Sequence, residues 1–92
     1  MLQSFVSFRF IFSGKVQGVG FRNTVLELSK SRKVYGYVKN LESGDVELRV
    51  EGDDGEVVEF IKKIRETLSG YIESVIKTKC DQGSFSSFNI VR

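Results

Sequence analysis

The sequence predicts an α+β sandwich, with two helices on one face of an antiparallel sheet. Three observations carry that reading. Apolar and polar residues alternate with period two near 5–12 and 46–51, as half-buried strands require. Apolar residues recur at helical spacing after each, at Phe21, Val25 and Leu28 and then at Val57, Phe60, Ile61, Ile64 and Leu68. The chain has 92 residues, room for one domain and not two, so a single domain is expected over 1–92.

The elements follow in order. Residues 5–12 set Val6, Phe8, Phe10 and Phe12 against Ser7 and Arg9, a strand with one strongly apolar face. Phe5 and Ile11 make its second face partly apolar. A glycine-rich loop, 14–20, leads into a first helix expected at 21–33, its stripe extended by the stem of Arg32. Tyr35 to Leu41 read as the second strand. Glu42, Ser43, Gly44 and Asp45 make a tight turn. Val46, Leu48 and Val50 then point inward and Glu47, Arg49 and Glu51 outward, so the pair is a hairpin with one half-open face. Gly52 ends it. Asp53 and Glu56 have capping-box spacing for a second helix, which Gly70 terminates. A fourth strand spans 71–79, Gln82 and Gly83 turn the chain, and 85–91 form a short last strand. The order β-α-β-β-α-β plus a terminal β fits the ferredoxin-like split βαβ arrangement. That fold hosts many functions and selects none of them.

Composition removes much chemistry. Histidine is absent and Cys80 is the one cysteine. A His-based triad, a His-ligated metal, a cysteine-only zinc site and an internal disulfide are therefore excluded. Cys80 has no recognisable base beside it in sequence and reads as a semi-buried small residue. Lys and Arg total 14 and Asp and Glu 12, for a net charge of +2. A nucleic-acid binder usually shows a clear basic excess; here only Lys30, Arg32 and Lys33 cluster. No apolar run reaches the ~18 residues of a membrane span. The apolar start carries Arg9 and alternates as a strand, unlike a signal peptide. The cytoplasm is the expected location.

Two segments carry chemistry. In the first, Gly14, Gly18 and Gly20 free the loop backbone for conformations other residues resist. Such a loop can aim several N–H groups at one point and feeds the positive end of a helix, together an anion nest. Arg22 at the helix start adds a fork for two phosphate oxygens, with Lys15 and Gln17 as further donors. The Walker and dinucleotide patterns both fit poorly. Read alone, the glycines equally make a tight strand-to-helix connection. In the second segment, Asn40 ends the second strand. Its amide either caps the hairpin or holds a water, since it has both a donor and an acceptor.

Together these segments closely resemble the acylphosphatase family. Gly14, Val16, Gln17, Gly18, Val19, Phe21 and Arg22 fill that family's loop pattern completely. Gly36, Tyr37, Val38, Lys39, Asn40, Gly44, Val46 and Gly52 fill its second pattern. The resemblance covers essentially the whole chain. It implies hydrolysis of carboxyl-phosphate mixed anhydrides with no metal and no cofactor. On it, Arg22 binds the phosphoryl group, the loop Lys15, Val16, Gln17, Gly18, Val19 and Gly20 cradles its oxygens, and Asn40 orients the attacking water. Inorganic phosphate is then product and competitive inhibitor. A monomer acting on a small acyl phosphate, with no nucleic-acid or membrane partner, is expected. Glu42 and Asp45 near the turn read as solvated surface groups, not bases.

Two other readings are weighed. The carbamoyl-phosphate-handling domain of hydrogenase-maturation proteins resembles acylphosphatases and shares the loop. The cysteine-rich modules that normally follow it are not in these 92 residues. A non-catalytic RNA-binding module on the same general fold wants stacked surface aromatics with basic neighbours. Phe8, Phe10, Tyr35 and Tyr37 supply rings, but alternation buries the first two.

Overall fold

Seven elements follow in the expected order: β1 (Phe5–Gly14), α1 (Phe21–Ser29), β2 (Tyr35–Asn40), β3 (Val46–Asp53), α2 (Asp54–Thr67), β4 (Ile72–Lys79) and β5 (Phe88–Val91). The computed structural model describes residues 4–92; the start of the expected domain, residues 1–3, lies outside the described residues. The sheet order is β4-β1-β3-β2-β5. β1 pairs antiparallel with β3 and β4, and β2 antiparallel with β3. β5 departs from an all-antiparallel sheet. It runs parallel to β2, from Gly36↔Phe88 to Lys39↔Val91, so the sheet is mixed. The reason is geometric. The chain leaves β4 at one edge, arches over the sheet and returns at the other edge, which reverses its direction relative to β4.

Alternation and helical spacing meet in the core between sheet and helices. Phe12, Phe21, Phe60, Leu48 and Ile64 are fully buried there. Phe12 packs on Phe21 with ring centroids 5.4 Å apart, and Phe60 on Phe88 at 5.5 Å. Phe8 is only half-buried, whereas Phe10 is buried as expected.

Several boundaries differ from the sequence reading. α1 stops at Ser29, not 33. The hydroxyls of Ser29 and Ser31 donate back to the Leu26 and Leu28 carbonyls, competing with continued helix. The Lys30 and Arg32 amides bond three residues back, to Glu27 and Ser29, and Val34 turns into the core. Arg32 pairs instead with Glu56, 3.7 Å away. The capping box does not form. Asp53 makes no cap bond, and the Glu56 carboxylate accepts from the Lys33 amide at 2.8 Å. α2 ends at Thr67, and Gly70 has no positive φ. β5 starts at Phe88 because Phe85 turns onto the face away from the helices, against Tyr37 and under the Arg49 guanidinium.

That face is less open than alternation implies. Glu51 points outward in the ladder, yet it is only 2% exposed. Segment 80–87 covers it. The Glu51 carboxylate accepts from the Ser7 hydroxyl, the Arg49 guanidinium and the Gly83 amide. Arg49 also donates to the Asp81 carbonyl. Removing one partner of such a buried cluster leaves the rest uncompensated. Glu51→Ala is expected to lower unfolding free energy by about 3–5 kcal/mol, read by urea denaturation.

Beside it, the Tyr37 hydroxyl donates to Glu47, which Arg9 also contacts. Burial first, then that hydrogen bond, hold the Tyr37 hydroxyl above its usual range. The folded chain thus keeps this proton longer than the unfolded one. The stabilisation is full below about pH 10 and is lost as pH rises through the raised value. Tyr37→Phe should therefore lower the urea midpoint at neutral pH, and the deficit should shrink in strong alkali.

Candidate active site

β1 and β2 both run antiparallel to β3, so they point the same way and finish at the same end of the sheet. β5, parallel to β2, ends there too. The glycine loop after β1, Asn40 at the end of β2 and Arg92 just past β5 are brought together by this topology. Adjacent strands are about 4.8 Å apart, and only β3 separates β1 from β2. The loop therefore has to cross only the β2–β3 turn to face Asn40.

The loop is held at both ends. Val16 is fully buried and anchors it in the core. Gly14 passes so close to the Tyr71 carbonyl that a Cβ there would clash. Gly18 and Gly20 have φ of 77° and 76°, left-handed values that favour glycine. Gly20 is the N-cap of α1 and its carbonyl accepts from Thr24. Among the described residues no side chain caps the α1 start, which leaves the first-turn amides and the positive end of the helix dipole beside the cavity that Gly20 to Asn23 line.

The cavity holds about 220 Å³. Val16, Gly18, Gly20 and Phe21 line it together with Arg22 from the first helical turn and Asn40 from the end of β2. The expected pair, Arg22 and Asn40, thus shares one cavity. The Asn40 Oδ1 atom is buried and has no hydrogen-bond partner among the described residues. A buried carbonyl oxygen of this kind normally meets a protein donor or water.

Three loop side chains take other places. Lys15 and Val19 are exposed and do not line the cavity. Gln17 is not a free donor. Its amide nitrogen donates to the Leu41 and Asp45 carbonyls, at 2.8 and 2.9 Å, bracing the loop against the β2–β3 turn. Gln17→Ala removes that brace without touching the cavity. It should lower stability by about 1–2 kcal/mol. It should also reduce kcat/KM on an acyl phosphate by about tenfold, since small misplacements of binding groups slow reactions steeply. Urea melts and steady-state kinetics on one preparation check both.

Arg92 and Asn23 also line the cavity. Sequence reasoning did not single them out. Asn23 follows Arg22 and was within reach of a reading of the first helical turn. Arg92 had no local signal, because its place depends on the parallel register of β5. Cys80 is partly buried, with its thiol 3.8 Å from the Thr78 carbonyl, and lies outside this cavity.

The chemistry of the cavity is cationic and rich in N–H donors, suited to one small tetrahedral anion. Known proteins share the sequence pattern and the fold. The sequence model of the acylphosphatase family matches residues 8–90. An acylphosphatase from Pseudothermotoga lettingae is 38% identical over 82 residues, which are 86% of this chain and 90% of that protein. The crystal structure of acylphosphatase from Bacillus subtilis superposes with a TM-score of 0.85 and 29% identity, covering 95% of this chain and 99% of that one. A further superposition, with a TM-score of 0.90 and 28% identity, sets 100% of this chain on 12% of full-length HypF in its phosphate- and nucleotide-bound form.

Proposed function

The chain belongs to the acylphosphatase family and hydrolyses acyl phosphates; from that premise we infer that Arg22 and the loop amides bind the phosphoryl group while Asn40 orients the attacking water. The observation that supports this reading is that Asn40, whose Oδ1 has no hydrogen-bond partner among the described residues, lines the same small cavity as Arg22. An amide oxygen there accepts a hydrogen bond from the water, whose proton stays on the water, and turns the water's lone pair toward phosphorus.

The steps follow from charge. The glycine-loop and first-turn N–H groups take the equatorial phosphoryl oxygens, and the Arg22 guanidinium neutralises charge there with two parallel donors. Water attacks phosphorus in line. The bond from phosphorus to the carboxylate oxygen breaks, and the carboxylate leaves with its electron pair. It is a good leaving group and needs little protonation. The water's second proton passes to a phosphoryl oxygen, so no protein base is assigned. Val16 and Phe21 give the cavity its apolar wall, which strengthens these electrostatic contacts by excluding water.

Acetyl phosphate supplied with and without chelator tests the reading. Turnover unchanged by chelator, with inorganic phosphate inhibiting competitively, is the expected result. Chelator-sensitive turnover, or phosphate inhibition that does not compete, would overturn it. The same reading makes the protein a cytoplasmic monomer with no nucleic-acid partner.

The likeness to part of HypF favours one further reading on the same cavity. A domain handling carbamoyl phosphate would turn that substrate over well ahead of acetyl phosphate. Comparable rates on the two would count against it.

A further inference from the structure

Two helices, each about 10 Å across, cannot cover five strands spaced about 4.8 Å apart. α1 lies over β2 and β5, and α2 lies over β3 with a lighter contact to β1. β4 has no comparable helix contact. The helix-side face of β4 and the neighbouring part of β1 therefore form an open groove along α2. It holds about 640 Å³, against about 220 Å³ for the cavity at Arg22.

The groove has a defined chemistry. Phe8 and Phe10 make its floor, and Val57, Val58 and Ile61 its helix wall. Val58 is 55% exposed. Lys62 and Arg65 reach it from α2 and Lys77 from β4. The Lys77 ammonium stands 4.1 Å from the centre of the Phe8 ring. None of these three cations belongs to an ion pair among the described residues. Two acids also line the groove, Asp54 and Glu66. Asp54 opens α2, where the helix dipole stabilises its charge. Glu66 stands one turn from Lys62, so it offsets that charge most directly. Arg65 and Lys77, one on each wall, remain as the uncompensated pair.

The geometry points to a second binding site, one that takes an amphipathic organic anion: an aliphatic or aromatic body with a single carboxylate or phosphate head. The body lies on Phe8, Phe10, Val57 and Ile61, and the head is held by Arg65 and Lys77. Volume supports a small molecule, since ligand pockets run from about 300 to 1,000 Å³, mostly apolar with a few placed polar groups. A protein partner would need about 800 Å² on each side, far beyond this strip. Neither residue lines the catalytic cavity, so the site stands apart from acyl-phosphate hydrolysis.

Three probes test it on the whole chain by amide chemical-shift mapping: octanoate, octyl phosphate and neutral 1-octanol. Octanoate is expected to shift amides of α2, β1 and β4 and to saturate below about 1 mM. Octyl phosphate is expected to do the same, and octanol to bind much more weakly. Arg65→Gln and Lys77→Gln, both at exposed positions, should each weaken octanoate about tenfold, as loss of a charged hydrogen-bond partner does. Both variants should hydrolyse acetyl phosphate within twofold of the parent. Shifts by octanoate confined to the catalytic loop, no shifts at all, octanol binding as tightly as octanoate, or variants that bind octanoate like the parent would each overturn the proposal. Octyl phosphate shifting only the catalytic loop would restrict the head to a carboxylate.

Discussion

Arg22→Ala should lower kcat/KM for acetyl phosphate by at least about 10³-fold. Removing one neutral oxyanion donor typically costs about 10²–10³ in rate. Arg22 supplies more than that, because it contributes a full charge and a planar fork to a phosphoryl group that is already anionic. The first-turn amides of α1 cannot compensate, since they carry only partial charge. The loss should appear in substrate binding as well as in turnover, with the inhibition constant of inorganic phosphate rising in parallel. Arg22→Lys restores charge without the fork and should fall between. Arg22 takes part in no ion pair among the described residues, so the urea midpoint should barely move. A variant that keeps parental kcat/KM, or one that loses activity only because it unfolds, would remove Arg22 from the mechanism.

The two residues of that mechanism were legible in sequence for different reasons. Arg22 sits at a change of period, where alternation stops and helical spacing begins, so its place at a helix start needed no tertiary information. Asn40 could be placed at a strand end, but its role could not be chosen there. Capping a turn and holding a water demand the same amide. Packing is the observation behind the water-holding role proposed above: Gln17 braces the turn, and Asn40 Oδ1 is buried with no hydrogen-bond partner among the described residues. Gln17 shows the reverse case. Its residue type suits an anion site, and its direction, set by carbonyls 24 and 28 residues away in sequence, suits a brace.

The same distinction explains the face behind the site. Alternation correctly turned Glu51 away from the helices, but burial also depends on what the chain later lays over that face. Gly83 lies 32 residues on, and no local pattern links it to Glu51. The parallel seat of β5 is non-local in the same sense, and it alone brings Arg92 to the cavity. Period reports which face a side chain takes; it does not report what covers that face. Function here depends on both, since an anion nest works only where water is partly excluded.

Asn40→Ala should separate activity from stability more cleanly than any other change in this chain. Its Oδ1 is buried with no hydrogen-bond partner among the described residues, and an unsatisfied buried polar group costs about 1–3 kcal/mol. Alanine removes that group. The unfolding free energy should therefore hold steady or rise by about 1 kcal/mol, after the small loss of packing. Turnover should fall by about 10²–10³-fold, the range for losing one oriented group at the reacting centre. Binding should not follow it, because Arg22 and the loop amides remain. The inhibition constant of phosphate is accordingly expected to stay within about twofold of the parent, a split that a merely structural asparagine would not produce. Asn40→Asp sharpens the point. It keeps an acceptor for the water but sets a negative charge beside an anionic phosphoryl group. Like-charge repulsion within a few ångströms should then weaken phosphate binding as well, and added salt should relieve part of that loss. If Asn40→Ala instead lowered stability and left turnover intact, the amide would belong to the hairpin and the water would need another holder.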